Sequence, residues 1–146
     1  RMKKFNLIWI FAMVLVSCSN SSNPYILFIC NQNISNLPES GVITTNMSKT
    51  SDGKYTNSMY PTFNETSKLT VQRVHPDTIL NVGDIIEFKV PKDFGCIMIH
   101  RIIKIGEDNK GIYYITKGDN ILLSDNSMLS KPIRKEDMLY KIIKIE

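Results

Sequence analysis

The chain is short of the residues that build metal centres. Its 146 residues hold two histidines and three cysteines, Cys18, Cys30 and Cys96. No pair of these stands at zinc-ligand spacing, so no metal or other cofactor is expected. Charge of one sign is also lacking. Eighteen Lys and Arg stand against fourteen Asp and Glu, a net charge of +4, and acids sit beside bases as in Lys135-Glu136-Asp137. With one tryptophan and no aromatic ladder among the basic residues, the pattern is a solvated mixed surface, and nucleic acid is not an expected partner. There is no heptad, no internal repeat and no amphipathic helix of convincing length. A chain of this size leaves room for one domain with a modest core.

The N-terminus reads as an export signal. After Arg1-Met2, Lys3 and Lys4 make a basic n-region, and Phe5 to Val16 carries no charge. That run falls short of the roughly 20 residues that span a bilayer and suits the h-region of a signal peptide. It ends in Leu15-Val16-Ser17-Cys18, which resembles the lipobox of bacterial lipoproteins. The resemblance implies lipid attachment at Cys18, where two acyl chains give stable anchoring. The other reading is a retained signal-anchor helix. Either one places the rest of the chain on the extracytoplasmic face of a membrane. Residues 1–18 are therefore read as the signal, 19–54 as a polar linker or peripheral segment, and 55–146 as the folded domain. In an exported domain Cys30 and Cys96 have two readings, a disulfide or two buried thiols.

Residues 19–54 are rich in Asn, Ser and Thr, with one apolar run, Tyr25–Cys30, that suits a strand. From Leu69 the pattern becomes short β runs: Leu69–Val74, Asp84–Val90, Cys96–Ile105, Ile112–Thr116 and Tyr140–Ile145. Gly, Pro, Asp and Asn clusters separate them, and the cluster from Glu107 to Gly111 predicts a hairpin loop. The expected fold is mostly β, a small, partly open barrel or folded sheet.

A few residues could carry chemistry. Ser58-Met59-Tyr60-Pro61 predicts a serine presented at a strand end, because Pro61 biases Tyr60 toward extended geometry. A serine hydroxyl needs a base to become a nucleophile. His100 lies within Ile97-Met98-Ile99-His100-Arg101-Ile102-Ile103, where alternation groups it with Met98 and Ile102 on one strand face. An imidazole titrates near neutrality, as a general base must. His75 precedes Pro76-Asp77 and is read as a turn residue. Thr116-Lys117-Gly118-Asp119-Asn120 is followed by Asp125. Either Asp119 or Asp125 could supply the carboxylate that steadies an imidazole base, and spacing does not choose between them.

In this order the segments resemble the type I signal peptidase family, from Asn57 to the C-terminus. Ser58-Met59-Tyr60-Pro61 is similar to its nucleophile box. Gly83-Asp84-Ile85-Ile86-Glu87-Phe88 is similar to the strand that follows, Ile99-His100-Arg101-Ile102-Ile103 to the base box, and Lys117-Gly118-Asp119-Asn120 with Asp125 to the Lys-Gly-Asp-Asn box. Histidine where bacterial relatives carry lysine resembles the serine–histidine branch found in archaea, the endoplasmic reticulum and sporulation. The resemblance implies a membrane-attached serine endopeptidase that cleaves signal peptides from exported precursors. Ser58 would be nucleophile and His100 base, supported by Asp125 (the preferred choice) or Asp119, with Asn57 and Met59 at the substrate groove. The alternative is an inactive lipoprotein of the same fold that binds exported peptides. The chain departs from the family pattern at Asn57, where a small residue is usual, at Tyr140, where glycine is frequent, and in the long separation of Cys18 from Ser58.

Overall fold

The computed structural model describes residues 29–30, 38–44, 58–90, 96–129 and 131–146. Within them the fold is mostly β, as the alternating runs predict. The strands are β1 (Ile29–Cys30), β2 (Ser40–Thr44), β3 (Lys68–Arg73), β4 (Ile85–Lys89), β5 (Cys96–Asp108), β6 (Gly111–Lys117) and β7 (Met138–Ile145). One short helix, α1 (Asp125–Leu129), follows β6. All seven strands join one sheet in the order β1-β5-β4-β7-β3-β2, with β6 also paired to β5. Every pairing is antiparallel. Among the described residues the path ends at β1 and β2, which do not pair with each other, so the sheet is not closed.

The long strand β5 organises the molecule. Its first half pairs with β4 and its second half with β6, with a register shift between Ile102 and Lys104. The hairpin forms where expected but is tighter than the composition indicated. Asp108 pairs with Gly111, so only Asn109 and Lys110 turn the chain. The Asp108 carboxylate accepts from the Lys110 N–H at 2.8 Å. Gly111 adopts φ +97°, a conformation glycine takes without steric cost.

Alternation along β4 and β5 sends apolar side chains to both faces. Ile85 and Ile97 join one core with Met59, Phe63, Leu69, Val71, Tyr140 and Ile142. Ile86, Phe88, Met98 and Ile102 join the other with Tyr114, Ile133 and Met138. Part of the segment read as a polar linker or peripheral segment lies in the sheet. β2 pairs with β3 from Ser40 opposite Gln72 to Thr44 opposite Lys68. β1 sets Cys30 opposite Cys96 in backbone register. Cys18, Asn57 and the export-signal residues lie outside the described residues. No helix among the described residues is long and apolar enough to cross a membrane.

Candidate active site

Ser58 sits in a turn rather than at the strand end the sequence predicts. The Met59 carbonyl accepts from the N–H groups of Thr62 at 2.8 Å and Phe63 at 3.3 Å, so the backbone curls straight after the serine, and the Tyr60–Pro61 peptide is cis. Met59, expected at the substrate groove, is fully buried in the first core. Its side chain anchors the turn, which leaves Ser58 facing the other way, toward β5.

His100 lies on β5 opposite Ile86 of β4. Its ring meets the edge of Phe88, centroid to centroid 6.5 Å. His100 Nε2 stands 3.1 Å from Ser58 Oγ, and Nδ1 stands 2.7 Å from Asp125 Oδ2. A carboxylate can only accept, so Nδ1 carries the proton and Nε2 is left to accept from the Ser58 hydroxyl. All three are buried: Ser58 is 5% exposed, His100 2% and Asp125 0%. Water therefore competes little for these hydrogen bonds.

The structure separates the two aspartates that spacing left open. Asp119 does not reach the imidazole. Arg101 grips it through Nε to Oδ1 at 2.9 Å and Nη2 to Oδ2 at 2.7 Å. The Thr62 hydroxyl also donates to Asp119 Oδ2. Arg101 reaches Gly83 O at 2.8 Å and Thr62 Oγ1 at 3.2 Å as well. The Arg101 guanidinium holds the Asp119 carboxyl below the usual carboxylate range, and the Thr62 hydroxyl adds to this. Arg101 neighbours His100 and Thr62 belongs to the serine turn, so this network fixes the turn against β5.

The turn after β6 closes the site. Lys117 Nζ donates to Gly118 O at 3.0 Å and Ile121 O at 2.6 Å. That ammonium is spent on its own turn, and it is the histidine that meets the serine. The Asn120 N–H donates to Ser58 O at 2.8 Å. Gly118 lies so close that a Cβ there would stand 2.6 Å from Ser58 O and 3.1 Å from His100 Nε2. Three contributors escaped the sequence reading: Thr62, the close approach at Gly118, and Thr116, whose hydroxyl donates to Asp125 Oδ2 at 2.5 Å. Their only sequence signal is their place inside or beside the motifs already quoted. His75 lies elsewhere, paired with Glu39 at 2.7 Å on an exposed surface. Among the described residues no group of three or more His, Cys, Asp or Glu side chains is placed to hold a metal ion.

The chain is similar to the signal peptidase complex catalytic subunit sec11 of Schizosaccharomyces pombe, with 31% identity over 78 residues, which make up 53% of this chain and 41% of that protein. It thus spans less than half the length of the curated relative it matches. This partial match ties the chain to signal peptidases at the level of a likeness in sequence. No family model matches the chain, and no solved structure does.

Proposed function

We propose that this chain is a membrane-attached serine endopeptidase that cleaves signal peptides from exported precursor proteins. The observation that carries the reading is the buried Ser58–His100–Asp125 line, with contacts of 3.1 and 2.7 Å. In an acyl transfer built on it, Ser58 Oγ attacks the scissile carbonyl as His100 Nε2 takes its proton. The Asp125 carboxylate steadies the imidazolium. Backbone N–H groups beside the serine stabilise the oxyanion. His100 then gives the proton to the leaving amine. Water deprotonated by the same ring opens the acyl-enzyme and restores Ser58. The similarity to a signal peptidase catalytic subunit supports signal peptides as the substrate class, bound extended along an exposed strand edge. Membrane attachment rests on the N-terminal run and Cys18.

The test is cleavage of an exported precursor by the full chain in detergent. Ser58→Ala and His100→Ala are each expected to abolish it, and full activity in either variant overturns the assignment. The near-complete burial of Ser58 and His100 favours a second reading, a chain of the same fold that binds exported peptides without turnover. In that case the wild-type protein retains the precursor uncut.

A further inference from the structure

Thr116 is the last-but-one residue of β6, with Ile102 of β5 as its Cα partner. That register puts it on the face of β5 that carries His100. It is fully buried, and a buried hydroxyl must find a partner or carry a desolvation cost. Its partner is Asp125 Oδ2, at 2.5 Å, and since a carboxylate has no proton to give, the threonine donates. The same oxygen accepts from His100 Nδ1 at 2.7 Å. The other oxygen, Oδ1, is buried with no hydrogen-bond partner among the described residues. Both donors thus converge on one atom, and among the described residues nothing holds the far side of the carboxylate.

From this geometry we propose that Thr116 is a positioning residue for the Ser58–His100 reaction, acting through Asp125. Its hydroxyl does two things the imidazole cannot do alone. It fixes the rotation of the Asp125 carboxylate about its Cβ–Cγ bond, so that one oxygen stays in line with the ring Nδ1–H. It also supplies one of the two side-chain donors that the fully buried carboxylate has among the described residues. Without it, among the described residues only the His100 Nδ1–H remains to orient the carboxylate that holds the imidazole in the tautomer accepting from serine. The inference rests on the peptidase reading for its kinetic consequence, but the hydrogen bond itself is independent of turnover.

The variants are Thr116→Val, which keeps the shape and removes the hydroxyl, and Thr116→Ser, which keeps the hydroxyl and removes a methyl. In detergent, with the full chain and an exported precursor, Thr116→Val is expected to lower kcat roughly ten- to hundredfold, the scale of one hydrogen bond to a charged group. KM should stay nearly constant, and Thr116→Ser should recover most of the loss. In an Asp125→Asn background the valine change should have little further effect, because the two groups act as a unit. The proton NMR signal of His100 Nδ1–H, far downfield when strongly hydrogen-bonded, should move upfield in Thr116→Val and stay in place in Thr116→Ser. Wild-type kcat with an unmoved resonance in Thr116→Val overturns the proposal. So do equal losses in both variants that track a falling Tm, which assign the residue to packing. If the wild-type protein cuts nothing, the peptidase reading fails by itself, and the resonance still decides the role of Thr116.

Discussion

Glu87 offers a prediction whose size follows from its surroundings. It sits mid-strand on β4, flanked by Ile99 of β5 and Tyr140 of β7, and is only 7% exposed. Its Oε2 has no hydrogen-bond partner among the described residues. The nearby Tyr140 hydroxyl donates elsewhere, to Pro38 O at 3.0 Å. Burial therefore pushes the Glu87 carboxyl from 4.5 up to about 7. Between these values the folded protein keeps a proton that the unfolded chain has released. Stability from this group is thus fully present below about pH 4.5 and is lost as pH rises to about 7. At 1.36 kcal/mol per pKa unit the loss is about 3 kcal/mol. Glu87→Gln keeps nearly the same shape, is neutral at every pH and removes this dependence. The assay is urea unfolding of wild type and variant from about pH 4.5 to about pH 8, read as the difference between the two so that other titrating groups cancel. The variant should gain about 3 kcal/mol on wild type across the range. Parallel curves would mean instead that the carboxylate is solvated or paired in the folded state and that burial does not raise its pKa.

Other expectations concern the site and its scaffold. Asp119→Asn should cost about 1–2 kcal/mol of stability at neutral pH, a discounted figure because both partners are partly exposed. Since the Asp119 carboxyl is held low by Arg101, its contribution is present above the ordinary carboxylate pKa and is lost as pH falls, so wild type and variant should converge in acid. Gly118→Ala drives a methyl onto the Ser58 carbonyl. It should abolish precursor cleavage even where circular dichroism shows a folded chain. Met59→Ala empties a fully buried position and should cost about 2–5 kcal/mol in urea unfolding, with activity falling as the serine turn loosens. Asp125→Asn should lower kcat by roughly 10³- to 10⁴-fold in the cleavage assay, as expected for a wrongly held imidazole.

The strands were legible where a period of two met clear turn residues, as in Leu69–Val74 and Ile112–Thr116. Strand ends were less so, because pairing decides them. β5 runs on to Asp108 since β6 accompanies it residue by residue. β2, Ser40-Gly41-Val42-Ile43-Thr44, fell in the stretch left open between linker and peripheral segment, because only β3 gives it a partner. The burial of Glu87 shows only once the two strands that flank it are in place. At the site, Ser58 and His100 stood out through the order of the segments that resemble the signal peptidase boxes, since each residue alone is a weak signal. The choice between Asp119 and Asp125 was not in the spacing. It depends on how the chain reverses after Lys117, whose ammonium holds two carbonyls of the turn. That reversal sends Asp119 to Arg101 and returns Asp125 to the His100 ring.

The proposed function stands or falls with Ser58 as a nucleophile activated by His100. The most direct measurement is mass-spectrometric mapping of a serine-directed acylating probe on the full chain in detergent. Stoichiometric labelling of Ser58 is expected in the wild type, with its loss in His100→Ala. An unlabelled wild-type Ser58, or equal labelling in His100→Ala, would contradict it.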